Sequence, residues 1–582
     1  MDAQKMDHIR HSAAHMLAAA VLDLYPGTKL AIGPTIENGF YYDFQFPAGV
    51  VVSDADLPRL EEKMKEIIKG SHTFVGRTVT VDEAREEEKD QPFKLELISE
   101  FGGEGKDLTM YESGPFKDLC RGGHVENTRE IPVEGLKLHK VAGAYWRGNE
   151  KNPMLTRIYG LLFPSRKELA VYLNQLEEAK KRDHRKLGKE LDLFTFSDLV
   201  GAGLPLWTPK GTLLRNTMDD FVWSLRKARG YVKVTIPHIT KKELYETSGH
   251  WQKFKDDLFH VQSREGHEFA MKPMNCPHHT QIYSRMAHSY RNLPQRYAET
   301  TMCYRDEQTG ELYGLSRLRS FTQDDAHVFC RRSQVKEEFL KIWDIIDTFY
   351  LAVGFGPLNV RLSLHDPKKL ENYLGTPDMW QFAEGQIREL AKERGVDFFE
   401  APGEAAFYGP KIDFMAKDSI GRQWQVATIQ LDINQPERFD LTCVNEQGEK
   451  ERIVMVHAAI MGSIERFLSI LIEHHAGAFP VWLAPVQVEL APVSSKHAEG
   501  AWKVAGELEV QGVRVAVDDA DETIGKKVRK AVGQKIPYIV VVGDRELEGG
   551  EWTIRVRGQE EQLKMSQAEF ISKLLQEIKD KK

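Results

Sequence analysis

No stretch of this chain approaches the roughly 20 consecutive apolar residues that a membrane-crossing helix needs, although 41% of its 582 residues are hydrophobic and 10% aromatic. That balance predicts a well-packed, soluble protein. Cysteine is scarce: Cys120, Cys276, Cys303, Cys330 and Cys443 are all there are, too few for a disulfide framework and odd in number. A reducing cytoplasm fits best. The N-terminus, MDAQKMDHIRHSAAHML, lacks the basic-then-apolar order of an export signal. Excess positive charge is missing too. With 79 Lys and Arg against 87 Asp and Glu, the formal net charge is −8, which excludes coating of nucleic acid by bulk charge but leaves room for a local basic groove. There is neither an internal repeat nor a low-complexity tract.

What is present is length, enough for about three or four domains. Residues 1–163 mix a helix-like opening with strand-like pieces such as FYYDF and the Gly-rich FGGEGKD, which predicts an α+β domain. Residues 164–191 are charged on most faces, with Leu169, Leu173 and Leu176 at helical spacing, and read as a linking helix. Residues 192–482 alternate helices with the runs YVKVTIP, FAMKP, QRYAETTMCYR, RQWQVATIQLDI and RIVMVHAAI. Their period-two alternation and Gly-containing turns predict an antiparallel sheet flanked by helices. Residues 483–582 alternate short strands and helices and predict a small α/β domain with a mostly parallel sheet.

Three stretches of the central block fit together. GTLLRNTMDDFVWSLRKARGYVKVTIPHI predicts a long amphipathic helix and a strand ending at Pro237, since proline cannot donate to a sheet ladder. MCYRDEQTGELYGLSRLRSFTQDDAHVFC places Arg305 and Glu307 at the end of one strand and Arg317, Arg319 and Phe321 on the return, a hairpin rich enough in arginine to suggest an anion. VHAAIMGSIERFLSIL runs from a strand through Gly462 and Ser463 into a helix with Arg466 in its first turn, where free N–H groups favour a phosphate. Singly, each arginine reads as a surface ion pair. In this order the stretches resemble motifs 1, 2 and 3 of the class II aminoacyl-tRNA synthetases, whose antiparallel sheet holds a bent ATP. The resemblance implies that Arg305 binds the α-phosphate and the attacked carboxylate, Glu307 the adenine amino group, Phe321 the adenine face, and Arg317 and Arg466 the outer phosphates, with Mg2+ assisting. Such activation of a carboxylate needs positioned positive charge more than acid–base chemistry.

Cys276 in MKPMNCPHH, His327 in FTQDDAH and His457 in MVHAAIMGS lie far apart. From spacing alone they read as a small buried hydrophobe and two structurally satisfied histidines. Their contexts are similar to the threonyl members of the class, in which one cysteine and two histidines bind catalytic zinc. Three-ligand zinc leaves coordination positions for the amine and hydroxyl of L-threonine, and valine has no hydroxyl to offer. By the same resemblance Asp325 accepts the hydroxyl proton, and Gln323, Tyr408 and Gln425 are further threonine contacts.

Serine keeps the hydroxyl, so a second filter is expected. His11 and His15, four apart, share a helix face. With Cys120 and His124 in DLCRGGH they read at first as a four-ligand metal site. Resemblance points instead to the editing pocket of threonyl and alanyl synthetases, which hydrolyses seryl ester from mischarged tRNA(Thr). It implies that His11, His15, Cys120 and His124 position ester and water, supported by Tyr42, Lys94 and Asp118, with no metal at work. A neutral histidine activating water is ordinary general-base chemistry.

The resemblance covers essentially the whole chain, but the small domain that commonly precedes the editing region is expected to be missing, and Ala458 follows His457 where an arginine is common. GDRELEGGEWTIRV resembles the anticodon-reading region and implies Glu546 and Arg555 as base contacts. Asp521 stands where asparagine is frequent and can only accept. The expected partners are tRNA(Thr), ATP and a second copy of the chain in a homodimer, with no DNA and no membrane.

Overall fold

The computed structural model describes residues 2–103 and 107–582. Two compact units divide the chain, Met1–Glu177 and Glu178–Lys582. Among the described residues no helix is long and apolar enough to cross a membrane.

The first unit is built on the helix Ala3–Leu24, which buries Ile9, Ala13, Met16, Leu17, Ala20 and Val21 along one stripe. That stripe lies against an antiparallel sheet whose main path runs Lys29–Leu30, Gly39–Gln45, Met154–Leu162, Leu136–Tyr145. Burial of Phe40, Tyr42 and Phe44 from FYYDF closes this core. A second antiparallel sheet joins Phe74–Val79, Leu108–Ser113 and Phe116–Leu119. The strand-like reading of FGGEGKD does not hold over its first three residues: Phe101, Gly102 and Gly103 end the helix Pro92–Gly103, continuing the helical run PFKLELISEF. Residues 104–106 of that piece lie outside the described residues.

Two helices occupy the stretch expected to form one linking helix. Arg166–Arg182 ends at Asp183, whose carboxylate accepts from the Arg185 N–H at 2.8 Å and starts a second helix, His184–Glu190. An aspartate whose carboxylate accepts an N–H of the first turn is a strong helix start.

The second unit centres on an eight-stranded sheet ordered Val232–Lys233, Gln295–Tyr304, Ser320–Cys330, Val454–Ser463, Gln423–Asp432, Lys411–Lys417, Asn359–Leu364, Phe398–Pro402. The five inner pairings are antiparallel and the two outermost are parallel. The edge strand after the helix Pro209–Lys227 is only Val232–Lys233, much shorter than YVKVTIP suggested. The middle strand Val454–Ser463 is buried over eight successive residues, as a strand covered on both faces must be. One covering layer is the helix Val335–Ala352, which packs Phe339, Ile342, Ile346 and Phe349 into the main core.

Two irregularities shape this sheet. Opposite the single residue Asp325, the Val454–Ser463 strand carries Ala459, Ile460 and Met461. In Gln423–Asp432, Val426 is the extra residue between Gln425 and Ala427. Bulges leave backbone groups without ladder partners. Asp324, fully buried, accepts from the N–H groups of Ile460 and Met461, each at 2.9 Å. The Tyr350 hydroxyl serves the carbonyls of Ile460 at 2.8 Å and Val426 at 2.9 Å. Arg226 of the Pro209–Lys227 helix pairs with Asp324 and donates to the Ala458 carbonyl at 3.1 Å.

The last sheet, Val515–Val517, Val488–Pro492, Tyr538–Val542, Trp552–Val556, Leu563–Met565, is mixed rather than mostly parallel. Its first three strands are parallel and the last two turn back antiparallel. Between Val542 and Trp552 there is room only for the short helix Asp544–Leu547, too little for a parallel crossover.

Replacing Arg226 by methionine strands a buried carboxylate. Unfolding in urea should show a loss of about 3–5 kcal/mol for this unit, whereas methionine at exposed Lys227 should change stability by less than about 0.5 kcal/mol.

Candidate active sites

In the second unit, the register of three strands builds the first site. His327 lies directly opposite His457, and His457 directly opposite Gln430, so three polar side chains share one face across adjacent strands. His327 Nε2 and His457 Nδ1 approach to 3.0 Å. Cys276, the first residue of the helix Cys276–Ser284, joins them, and the three ligand atoms lie within 4.8 Å of one another. All three residues are buried.

The other nitrogen of each histidine is held: His327 Nδ1 by His279 Nδ1 at 2.7 Å, and His457 Nε2 by Asp432 Oδ2 at 3.0 Å. Asp432 is fixed in turn by the N–H groups of Asn434 and Gln435 at 2.8 and 2.9 Å. Outer partners of this kind orient metal-binding imidazoles. One sulfur and two nitrogens converging in a buried site are the donors that zinc prefers. Burial raises the Cys276 thiol well above its ordinary range, so the charge that makes it a thiolate ligand must come from a bound cation. The residues present therefore fit a zinc ion.

A small cavity of about 90 Å³ opens on this cluster, lined among others by Gln323, Asp325, Tyr408, Gln430 and Arg305. Gln323, Asp325 and His327 share a face because strand residues alternate. Tyr408 stacks on His457 with ring centres 5.0 Å apart and donates to Gln430 Oε1 at 2.5 Å. Sequence reasoning missed Gln430. Its signal was the alternation Thr428, Gln430, Asp432 in VATIQLDI, a period-two polar face. Gln425 lies elsewhere. The bulge at Val426 turns it beside Thr428, and both donate to the fully buried Asp413, at 2.8 and 2.9 Å.

A larger cavity of about 480 Å³ adjoins, lined by Arg305, Glu307, Arg317, Phe321, Gln425 and Arg466 among others. Arg305 and Gln323 line both cavities. The Arg305 guanidinium sits 5.1 Å from the Phe321 ring centre and 5.5 Å from that of Phe254, and its buried Nε has no hydrogen-bond partner. An orphaned buried guanidinium N–H is a place for an anion. Arg317 Nε donates to Glu307 at 2.7 Å, tying the two ends of the hairpin loop. Arg466 lies exposed in the first turn of the helix Ile464–His474, whose N-cap is Ser463.

A third site lies in the first unit. His11 and His15 project from the long N-terminal helix toward Cys120, which follows the strand Phe116–Leu119. Gly122 and Gly123, both at positive φ (88° and 82°), turn the chain so that His124 comes back beside Cys120. Cys120 Sγ is 3.3 Å from His11 Nε2 and 3.2 Å from His124 Nε2. Asp118 is the hub below: Tyr42 donates to it at 2.6 Å, Lys94 pairs with it at 2.5 Å, and His15 lies 3.8 Å away. His11, His15, Lys94, Asp118 and Cys120 line a cavity of about 560 Å³, while Tyr42 and His124 support it from behind. His124 stacks on Phe74 at 4.7 Å.

Four ligand atoms from His11, His15, Cys120 and His124 also lie within 4.8 Å of one another. Burial leaves this set uncharged, as it does Cys276 and His327 of the set in the second unit. Burial pushes the Cys120 thiol up to about 11, lowers His11, drives His15 well below its ordinary value, and takes His124 down to about 2. Three neutral imidazoles and a thiol surround one Lys–Asp pair. Also unforeseen were buried Ser12, whose hydroxyl contacts His124 Nδ1 at 3.2 Å, and Glu88, raised by burial to about 7 beside Asp118. In the third region, Glu546 accepts from the Gly543 N–H at 3.0 Å, and Arg555 is exposed on the strand Trp552–Val556.

These geometries agree with what the chain resembles. The tRNA synthetase class II core domain (G, H, P, S and T) matches residues 259–475, and an anticodon-binding domain matches residues 487–577. A prolyl-tRNA synthetase from Giardia lamblia superposes with a TM-score of 0.56 over 70% of this chain and 80% of its own at 17% identity, a likeness of fold alone. Sheet, motifs and first cavity thus define a class II aminoacyl-tRNA synthetase. The threonyl and alanyl tRNA synthetase second additional domain matches residues 108–159. The RNA binding domain of threonyl-tRNA synthetase from Cryptosporidium parvum superposes with a TM-score of 0.64 at 37% identity, covering 68% of this chain and 98% of its own. Threonine–tRNA ligase of Porphyromonas gingivalis is 49% identical over 583 aligned residues, 100% of this chain and 89% of that protein. The chain belongs to the threonine–tRNA ligase family, enzymes that use ATP to join threonine to tRNA.

If neutral imidazoles act as bases in the first unit, hydrolysis of an ester bound there should fall to half its plateau rate only below about pH 6.5, because burial lowers the pKa of these histidines from the usual value. A rate already halved near about pH 6.5 would mean an ordinary histidine is the base.

Proposed function

We propose that the protein activates threonine in the paired central cavities, transfers it to tRNA(Thr), and removes mistaken serine in the pocket of the first unit. The observation that carries this is Arg305, which lines both cavities with a buried, unpartnered Nε. In the reaction a threonine carboxylate oxygen bonds to the α-phosphorus of ATP while the bond to pyrophosphate breaks, and pyrophosphate leaves with the electron pair. Negative charge gathers where carboxylate and phosphate meet, and Arg305 is placed to stabilise it. The terminal hydroxyl of tRNA then attacks the threonyl carbonyl and AMP departs. Phe321 offers a face for adenine, Glu307 its acceptor, and Arg317 and Arg466 stand for the outer phosphates with Mg2+.

Zinc bound by Cys276, His327 and His457 supplies open coordination positions that an amine and a hydroxyl can fill. The chain's own residues do the rest of the selection: Asp325 accepts the hydroxyl proton, Tyr408 and Gln430 close the pocket, and Gln323 reaches into both cavities. Gln425, held by Asp413 and facing the larger cavity, serves the bound nucleotide side of threonine. A hydroxyl-demanding site rejects valine far better than an apolar one would. Serine passes, and the pocket of His11, His15, Cys120 and His124 hydrolyses its ester without metal, with Tyr42, Lys94 and Asp118 holding the frame.

In this reading the chain is organised as an editing domain (1–163), a link (164–191), a catalytic domain (192–482) and an anticodon-binding domain (483–582), where Glu546 and Arg555 meet tRNA bases. The matched ranges fall inside these bounds. It acts in the cytoplasm as a homodimer; its five cysteines are all free, and Val232 and Ile239 are exposed where the first motif would meet a second copy.

Threonine-dependent exchange of pyrophosphate into ATP tests the proposal. The zinc-loaded protein should catalyse it, and Arg305→Ala should lower the rate by about 100-fold or more. Exchange that is absent, or indifferent to Arg305, defeats the assignment. His279→Ala should weaken zinc binding by about 10–100-fold, read by competition with a chromogenic chelator.

A further inference from the structure

His184 takes no part in any of the three sites, yet it is only 1% exposed and both its ring nitrogens are committed. Nδ1 lies 2.7 Å from Glu473 Oε1, and Nε2 lies 3.0 Å from the backbone N of Leu315. A carboxylate only accepts and a backbone N–H only donates, so the pair fixes one arrangement: Nδ1 carries the proton and Nε2 receives one. Glu473 is itself secured. It accepts from the His184 backbone N–H at 3.2 Å and, through its other oxygen, from Arg422 at 2.6 Å.

The group received by Nε2 belongs to the hairpin loop of the nucleotide cavity. Leu315, Ser316, Arg317 and Leu318 all line that cavity. The preceding residue, Gly314, has φ +49°, and a Cβ there would lie 2.2 Å from His184 Nε2. The loop backbone is pressed onto the imidazole with no space for a side chain. One residue on, the Ser316 hydroxyl meets that of Ser469 at 2.9 Å, and Ser469 donates to the Arg466 carbonyl at 2.7 Å. From these contacts we infer that His184 is a positioning residue: held by Glu473, its imidazole sets the height of the Gly314–Leu318 segment and so places Arg317 for the nucleotide. His184 begins the short helix His184–Glu190, which lies within the second unit, as do the loop and the sheet.

The inference rests on the ATP assignment made above, and pyrophosphate exchange separates the two. Asparagine at 184 can reproduce the Nδ1 contact to Glu473 but not the reach to Leu315; glutamine can place its carbonyl oxygen where Nε2 stands. His184→Asn should raise the KM for ATP by about tenfold, the scale of one buried hydrogen bond lost, with the KM for threonine unchanged. His184→Gln should recover most of the ATP KM. Gly314→Ala, which drives the loop off the ring, should repeat the ATP-selective rise without touching the histidine. Equal values for Asn and Gln, a parallel rise in both KM values, or an unchanged ATP KM in Gly314→Ala overturns the inference. If the unaltered protein shows no exchange at all, the ATP assignment fails instead.

Discussion

Asp324 is buried in the middle of the second unit, and what its carboxylate holds decides the shape of everything around it. On one side it caps the Ile460 and Met461 N–H groups, which the bulge has removed from the ladder. On the other it meets Arg226 from a helix packed behind the sheet. Below the bulge the strands stay in register, which keeps His327 opposite His457. Above it the Val454–Ser463 strand is offset and delivers Ser463 and Arg466 to the neighbouring cavity. A regular ladder would slide one of these sites relative to the other. Because a buried unpaired charge is so costly, Arg226, Asp324 and the bulge stand or fall together.

The sites use opposite electrostatics for opposite chemistry. Arg305, Arg317 and Arg466 line the larger cavity of the second unit, a setting suited to an anion. In the first unit, burial holds Cys120, His11, His15 and His124 in their uncharged forms around the pair of Lys94 with Asp118, in a cavity that Asp107 and Arg121 also line. Neutral imidazoles accept protons; they do not hold phosphates.

Much of this was legible in the residues themselves. Arg305, Phe321 and Arg466 sit in local runs whose order carries the signal, and Gln323, Asp325 and His327 were named by the resemblance of the run FTQDDAH. What stayed hidden depends on distant partners. Nothing near Asp324 announces a bulge in a strand more than a hundred residues on, and His184 looked like one more polar residue in a charged helix. Asp183 could have been read as a helix start, but the run of charges on both sides masked it. The antiparallel end of the last sheet follows from a connection too short for a crossover, a constraint visible only once the strand bounds are known. Without the bulge at Val426, strict alternation would put Gln425 on the face opposite Thr428; the bulge brings both onto Asp413.

The central claim is a division of labour: the central pocket asks whether a hydroxyl is present, and the pocket of the first unit asks whether the methyl is missing. Its most direct measurement is the charging of tRNA(Thr) with serine by the zinc-loaded protein and by a variant carrying both His11→Ala and Cys120→Ala. The account predicts that seryl-tRNA accumulates only with the variant, while threonyl-tRNA forms at the same rate with both proteins and valyl-tRNA with neither. Accumulation of seryl-tRNA by the unaltered protein, or its failure to appear with the variant, would contradict it.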